Sequence, residues 1–114
     1  MFGMKSKSLS ERKDESQRII RKYSNRRPII VAKDKRCELP DIDKEKFLVP
    51  IDMSISQFMF IIRKRIDLDS SKALFITING MLVNGSKIIS EVYQSMKDED
   101  GFLYVVYTGE NTFG

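Results

Sequence analysis

The chain has 114 residues, 41% hydrophobic and 32% charged, which is enough for one compact domain and too short for two. It contains no histidine and one cysteine, so it offers no imidazole base, no histidine metal ligand and no internal disulfide. Apolar runs such as residues 58–62 are too short to cross a bilayer, and the first residues lack the apolar segment of a secretory signal. We therefore expect a cytosolic or nuclear protein unless a modification anchors it.

The charge is distributed unevenly along the chain. Residues 1–37 hold twelve Lys or Arg against four Asp or Glu, whereas residues 38–114 hold eight against twelve. A basic amino-terminal region favours acidic partners, namely acidic peptides, anionic membrane surfaces or nucleic acid. Only Phe2 and Tyr23 could stack on bases there, and no single-strand-binding motif is present, so we do not expect nucleic acid.

A charged helix is the first predicted element. Residues 1–7 show no periodicity, which leaves either a loose arm or a short helix open. Ser8 and Glu11 have the spacing of a capping box, which predicts a helix from there to about Tyr23. Such a polar helix cannot supply a core, so we expect it to pack on one side of a larger body.

Two strands are predicted next. Residues 28–33 are mainly apolar and begin with Pro28, at a position where proline removes no ladder hydrogen bond. Residues 46–51 alternate between two faces, and Pro50 among them cannot donate to a ladder. This second strand is therefore predicted to lie at a sheet edge, where its outer backbone groups are unpaired.

A second capping box, Ser54 with Gln57, predicts a helix over residues 55–66. Phe60 and Ile61 fall outside the stripe that helical spacing turns toward a core, so this helix carries more apolar surface than one core contact needs. The predicted core stripe consists of Ile55, Phe58, Met59, Ile62 and Ile66.

A hairpin and a short helix follow. Residues 73–78 predict a buried strand, and Asn79-Gly80 predicts a tight turn into residues 81–83. The next apolar residues have the spacing of a short amphipathic helix. They are Ile88, Ile89, Val92, Tyr93 and Met96.

The end of the sequence predicts a final strand followed by a tail. Residues 102–107 are aromatic and β-branched without a breaker, which is typical of a strand in the middle of a sheet. Turn-forming residues follow Thr108, so we expect a mobile tail. Gly114, which has no Cβ, could carry its carboxylate into a narrow active site of another enzyme for transfer to an amine.

Four blocks of sequence resemble the autophagy-related protein 8 family, the ubiquitin-like modifiers that include the GABA-receptor-associated proteins. They are residues 47–50, 58–65, 97–104 and 109–114, and the similarity runs over about residues 9–114. The resemblance implies an α+β fold, the ubiquitin-like β-grasp with a four-stranded mixed sheet and an extra N-terminal helical segment. The expected division is a helical segment at 1–24, a ubiquitin-like domain at 25–108 and a conjugation tail at 109–114.

The resemblance also implies lipid conjugation through the tail. Activating and conjugating enzymes of this pathway carry the terminal glycine as a thioester and pass it to phosphatidylethanolamine, and a deconjugating cysteine protease reverses the step. Gly114 would then be the conjugated residue and Phe113 a recognition residue. We expect a non-enzymatic monomer without a cofactor, cytoplasmic when free and on autophagosome or other vesicle membranes when lipidated.

A peptide-binding groove is implied at the edge strand. The family reads short motifs of cargo receptors and autophagy machinery in which an aliphatic residue follows an aromatic one by three positions, and the peptide adds as a new strand. The implied aromatic pocket comprises Glu15, Ile19, Pro28, Ile30, Lys46, Leu48 and Phe102. The implied aliphatic pocket comprises Phe47, Val49, Pro50, Met53, Phe58, Ile61 and Arg65.

Other interpretations stay open. Helical spacing alone favours a core position for Phe58, whereas Ile19, Lys46 and Leu48 favour the groove. A ubiquitin-like tag for protein amines is a second hypothesis, although a pair of terminal glycines would be more usual there. A basic cytoskeleton- or nucleic-acid-binding module is a third. We expect no catalytic residue and no metal site, since Cys37 has no partner base and the acids at 98–100 lack calcium-loop spacing.

Overall fold

The computed structural model describes residues 2–109. One mixed sheet has the strand order β2-β1-β5-β3-β4, with helices on both of its faces. A short 3-10 helix, Gly3–Ser6, precedes the first long helix. The elements are α1 (Leu9–Lys22), β1 (Arg26–Lys33), β2 (Lys46–Pro50), α2 (Ile55–Arg65), β3 (Phe75–Ile78), β4 (Met81–Leu82), α3 (Ile89–Met96) and β5 (Leu103–Thr108).

Both predicted capping boxes are confirmed. The Ser8 hydroxyl accepts a hydrogen bond from the Glu11 amide at 3.1 Å, and the Ser8 amide donates to the Glu11 carboxylate at 3.3 Å. Ser54 and Gln57 make the same exchange at 3.1 and 2.9 Å. Each exchange satisfies backbone donors that the first turn of a helix leaves unpaired, which is why α1 and α2 begin where the sequence predicts.

The sheet is built around β1. This strand runs parallel to β5 and antiparallel to β2, so Ile29 lies opposite both Leu103 and Phe47. The sheet is completed by β3, which pairs antiparallel with β5 on one side and with β4 on the other. The sheet therefore has five strands, one more than expected, because the two residues of β4 also pair. The mixed sheet with helices packed on it and an added N-terminal helix agrees with the expected α+β architecture.

Two strand boundaries differ from the prediction. β1 begins at Arg26, so Pro28 is its third residue and not its first. The proline is tolerated because pairing with β5 begins only at Ile29. β3 begins at Phe75, two residues later than predicted. The Asn79-Gly80 turn is confirmed, with φ of 53° and 78°, the positive values that a tight hairpin needs.

Apolar side chains form two separate clusters among the described residues. The larger lies between the sheet and helices α2 and α3 and contains seventeen buried residues. The predicted stripe of α2 faces it: four members are buried and Met59 is half-buried against them. Phe60 and Ile61 are 56% and 36% exposed, as their position outside the stripe predicts. The smaller cluster lies beneath α1 and consists of Met4, Ile30, Phe102 and Tyr104, with Phe2 and Ile19 against it.

A buried carboxylate attaches α1 to the sheet. Asp100 accepts hydrogen bonds from the Arg12 guanidinium at 2.7 Å, the Tyr104 hydroxyl at 2.5 Å and the Phe102 amide at 2.8 Å. The Ser16 hydroxyl donates to the Asp100 carbonyl at 2.5 Å. Burial and the bond to Asp100 raise the pKa of Tyr104 well above its ordinary value, so its hydroxyl keeps its proton and remains a donor. These contacts fix the position of α1 beside β2.

Candidate functional site

β2 lies at one edge of the sheet, as predicted. Among residues 2–109 it pairs with β1 alone, and the bond from the Val31 amide to the Glu45 carbonyl, at 2.8 Å, shows which residues face that partner. Alternation along an antiparallel ladder then directs the backbone groups of Lys46 and Leu48 away from β1. These outward groups are the ones to which an added strand would bond. The Arg26 guanidinium donates to the Leu48 carbonyl at 3.1 Å.

The two faces of β2 have different surroundings. Phe47 and Val49 are buried in the large cluster, while Lys46, Leu48 and Pro50 are half-buried on the face toward α1. This alternation agrees with the predicted one. It places the half-buried apolar side chains of the strand next to its unpaired backbone edge.

The residues of the implied aromatic pocket are brought together at the Lys46 end of β2. Ile30 is paired with Lys46 across the ladder, and both Ile30 and Phe102 are fully buried. Pro28 is buried above them, and Ile19 and Leu48 are half-buried around them. The structure therefore places an apolar floor, partly exposed walls and a cation in one location.

An ion pair closes this end of the groove. The Lys46 ammonium is paired with the Glu15 carboxylate, which also accepts from Lys7 at 3.2 Å. Burial acts to raise the pKa of Glu15, but the hydrogen bonds from Lys46 and Lys7 outweigh it, so this pKa lies below its usual value. Glu15 is therefore ionised at neutral pH and stays paired with Lys46 at this end of β2.

The implied aliphatic pocket has a shallow surface and a buried base. Phe58 is fully buried and meets Phe47 edge-to-face at 5.8 Å, so helical spacing indicated its position correctly. Pro50 and Met53 are half-buried, and Ile61 is exposed. Within the implied aliphatic pocket, Pro50, Met53 and Ile61 are therefore the side chains that a bound aliphatic residue could touch.

Cations border this second pocket. The Arg65 guanidinium donates to Asp43 at 2.8 Å and lies 5.8 Å from the centre of the Phe47 ring. The Lys44 ammonium lies 5.0 Å from the same ring. The bond from Arg65 lowers the pKa of Asp43, which stays ionised. Both faces of β2 thus carry cations beside apolar surface, a combination suited to acidic peptides with apolar anchors.

Sequence reasoning missed two residues that touch the site. Lys7 bonds to Glu15, and Met4 packs on the pocket floor. The excess of Lys and Arg in residues 1–37 indicated that the amino-terminal region is important, but it did not indicate which residues these side chains contact. Met4 lies in a segment without periodicity, so no local pattern could have found it.

The residues expected for conjugation, Gly114 and Phe113, lie outside the described residues. Within residues 2–109, no three His, Cys, Asp or Glu side chains are grouped to hold a metal ion. Cys37 is free and half-buried. None of the helices in that same range is both long enough and apolar enough to span a membrane.

Comparisons with known proteins agree with the fold and show the family. A family model described as "Autophagy protein Atg8 ubiquitin like" matches residues 11–114. Autophagy-related protein 8 of Candida glabrata is 50% identical over 116 residues, covering 97% of this chain and 98% of that protein. Autophagy-related protein 8e of Arabidopsis thaliana is 51% identical over 106 residues, covering 93% and 87%. A crystal structure of Trypanosoma brucei ATG8 superimposes with a TM-score of 0.88 at 35% identity, covering 92% of this chain and 90% of that one.

Proposed function

Because the chain belongs to the autophagy-related protein 8 family of ubiquitin-like autophagy proteins, we propose two activities: docking of short motifs at β2, and conjugation through Gly114. The ligands are acidic peptides of cargo receptors and autophagy machinery in which an aliphatic residue follows an aromatic one by three positions. The conjugate is an amide with phosphatidylethanolamine. The protein itself is not an enzyme, and the cysteines that carry out the transfer belong to partner enzymes.

The observation that supports docking is the unpaired edge of β2 with half-buried Leu48 and Pro50 beside it. A peptide strand bonds to this edge through its backbone, while its alternate side chains enter the two pockets. Two buried anchors contribute about 2 kcal/mol or more each, and ordering the peptide offsets part of that gain. Micromolar dissociation constants follow, which suits reversible recruitment.

The docking test is an amide NMR titration with a short acidic peptide that carries Trp-x-x-Leu. We expect saturable shifts centred on residues 46–50, Ile19 and Phe102. The matched variant is Leu48→Asp, which puts a charge on the half-buried face of β2 and should abolish the shifts while thermal melting stays cooperative. Absence of shifts in the wild type at millimolar peptide would reject docking. Loss of cooperative melting in the variant would place Leu48 among the residues that hold the fold.

Conjugation is supported by the family of the chain, whose model matches through Gly114. In the final step the amine nitrogen of phosphatidylethanolamine attacks the Gly114 carbonyl carbon of a thioester. An amide bond forms, the carbon–sulfur bond breaks, and the partner enzyme recovers its cysteine thiol. The two acyl chains then hold the domain stably on a membrane, which one chain does not do. The free form is cytoplasmic, and the lipidated form lies on autophagosome or other vesicle membranes.

Mass spectrometry of a reconstituted reaction tests conjugation. The reaction contains the activating and conjugating enzymes and phosphatidylethanolamine vesicles, and Gly114→Ala is the matched variant. We expect a lipid mass on the wild type alone, while Gly114→Ala still binds the acidic peptide. Equal lipidation of both chains would refute the role of Gly114, and a protein mass in place of the lipid mass would favour a tag for protein amines.

A further inference from the structure

The amino-terminal arm, residues 2–7, lies on the floor of the aromatic pocket. Met4 within it is 3% exposed and packs in one cluster with Ile30, Phe102 and Tyr104. Two of these partners, Ile30 and Phe102, are the pocket floor. The Met4 amide donates to the Glu45 carboxylate at 3.1 Å, directly before Lys46, so the arm reaches the Lys46 end of β2.

Besides Met4, the arm is held by contacts of Phe2, Lys5 and Lys7. Phe2 meets the Tyr104 ring edge-on at 4.9 Å between ring centres. The Lys5 ammonium binds Asp98 at 3.0 Å and lies 4.3 Å from the centre of the Tyr104 ring. The pair of Lys5 with Asp98 is exposed to water, and such pairs contribute little to stability. An arm held in this way can detach without unfolding the large cluster on the other face of the sheet.

The floor of the pocket is closed while the arm is docked. Ile30 and Phe102 have no exposed surface, so an incoming aromatic ring has no access to them. Met4 packs in one cluster with them, and Ile19 of α1 packs against the same cluster. Binding of an aromatic ring on Ile30 and Phe102 therefore requires that a side chain packed on them, such as Met4, move away. A methionine side chain is flexible and adapts to irregular apolar space, which suits it to be displaced.

We propose that Met4 is an internal occupant of the aromatic pocket, and that a motif peptide displaces it on binding. The proposal rests on the docking function described above. The arm then competes with every peptide, and the apparent affinity equals the intrinsic affinity reduced by the fraction of molecules with an open pocket. Affinity can thus be tuned by events on residues 2–7, outside the groove itself.

The test is calorimetric titration of the full chain with the acidic Trp-x-x-Leu peptide. Met4→Ala shortens the occupant, and Phe2→Ala weakens the attachment of the arm without changing any charge or any groove residue. If about 80–90% of wild-type molecules have the arm docked, both variants should bind about 5–10-fold more tightly. Met81→Ala is the matched control, because Met81 is 62% exposed on β4 at the opposite edge of the sheet.

A second readout follows Met4 directly. In a sample with 13C-labelled methionine methyl groups, the Met4 resonance should move toward its position in an unfolded chain as the wild type is saturated. The Met81 resonance should stay in place. This readout reports on the arm even where Met4→Ala disturbs the small cluster.

The outcomes separate the two proposals. Tighter binding by both variants together with a moving Met4 resonance supports displacement, as does binding by the variants alone. Equal or weaker binding by both variants with a still Met4 resonance overturns displacement and leaves docking intact. Absence of binding by wild type and both variants overturns docking, and displacement with it.

Discussion

The two faces of the sheet are built differently. One face carries seventeen buried residues, most of them from two helices and four strands, while the other carries four, including Met4 of the amino-terminal arm, beneath α1. The larger cluster is almost purely apolar, whereas the smaller one adjoins the ion pair of half-buried Arg12 with buried Asp100. Stability is concentrated on the first face. The second face supports the candidate groove, and its polar attachments can be altered without loss of the fold.

The largest expected effect comes from the large cluster. Phe58→Ala removes a fully buried ring, and a cavity of that kind lowers the free energy of unfolding by about 3–5 kcal/mol. Phe60→Ala is the matched control on the same helix, because Phe60 is 56% exposed and should change it by less than about 0.5 kcal/mol. Urea unfolding measures both. Similar losses for the two variants would contradict the assignment of stability to that face.

Gly101→Ala tests the attachment of α1. Gly101 has a φ of 89°, and a Cβ there would lie 2.2 Å from the Ser16 hydroxyl oxygen. Gly80→Ala isolates the contact, because Gly80 has a φ of 78° with open space around it. We expect a loss of about 1 kcal/mol for Gly80→Ala from backbone strain alone, and about 2–3 kcal/mol for Gly101→Ala.

Hydrogen exchange shows where the Gly101→Ala effect lies. Amides of α1 should lose protection in this variant, while amides of α2 keep theirs. Uniform loss of protection would mean that the two faces unfold as one unit.

Acid should weaken the second face through Glu15. Its pKa is lowered in the folded protein, so its contribution to stability is complete above the pKa of the unfolded chain and is lost as the pH falls through the folded value. We expect Glu15→Gln to show a shallower fall in melting temperature between pH 7 and pH 3 than the wild type. Glu99→Gln, at an exposed acid, serves as control. Identical profiles for wild type and Glu15→Gln would show that the ion pair of Glu15 with Lys46 does not cause the loss of stability in acid.

The face of the sheet that carries the larger cluster could be predicted from the sequence far better than the face that carries the smaller one. The stripe of α2 and the edge position of β2 follow from local periodicity and from Pro50, signals that span a few residues. The arm is held by contacts such as Lys5 with Asp98, which are 93 positions apart, within a segment that shows no period. The partner of Lys46 is likewise 31 positions away. Pairing over such separations depends on the assembled fold, so the closed pocket could not be predicted.

The parallel pairing of β1 with β5 sets the height of the groove above the carboxyl terminus. Lys46 is level with Ile30 and Tyr104, about 13 Å along the sheet from Thr108, and Pro50 is level with Arg26, about 26 Å away. The tail after Gly109 adds at most about 17 Å of reach. A motif bound along β2 therefore has its Lys46 end about 13 Å nearer to Thr108 than its Pro50 end. In the lipid conjugate proposed above, a partner chain that leaves past Lys46 starts closer to the point of attachment than one that leaves past Pro50, so linker length matters more on that side.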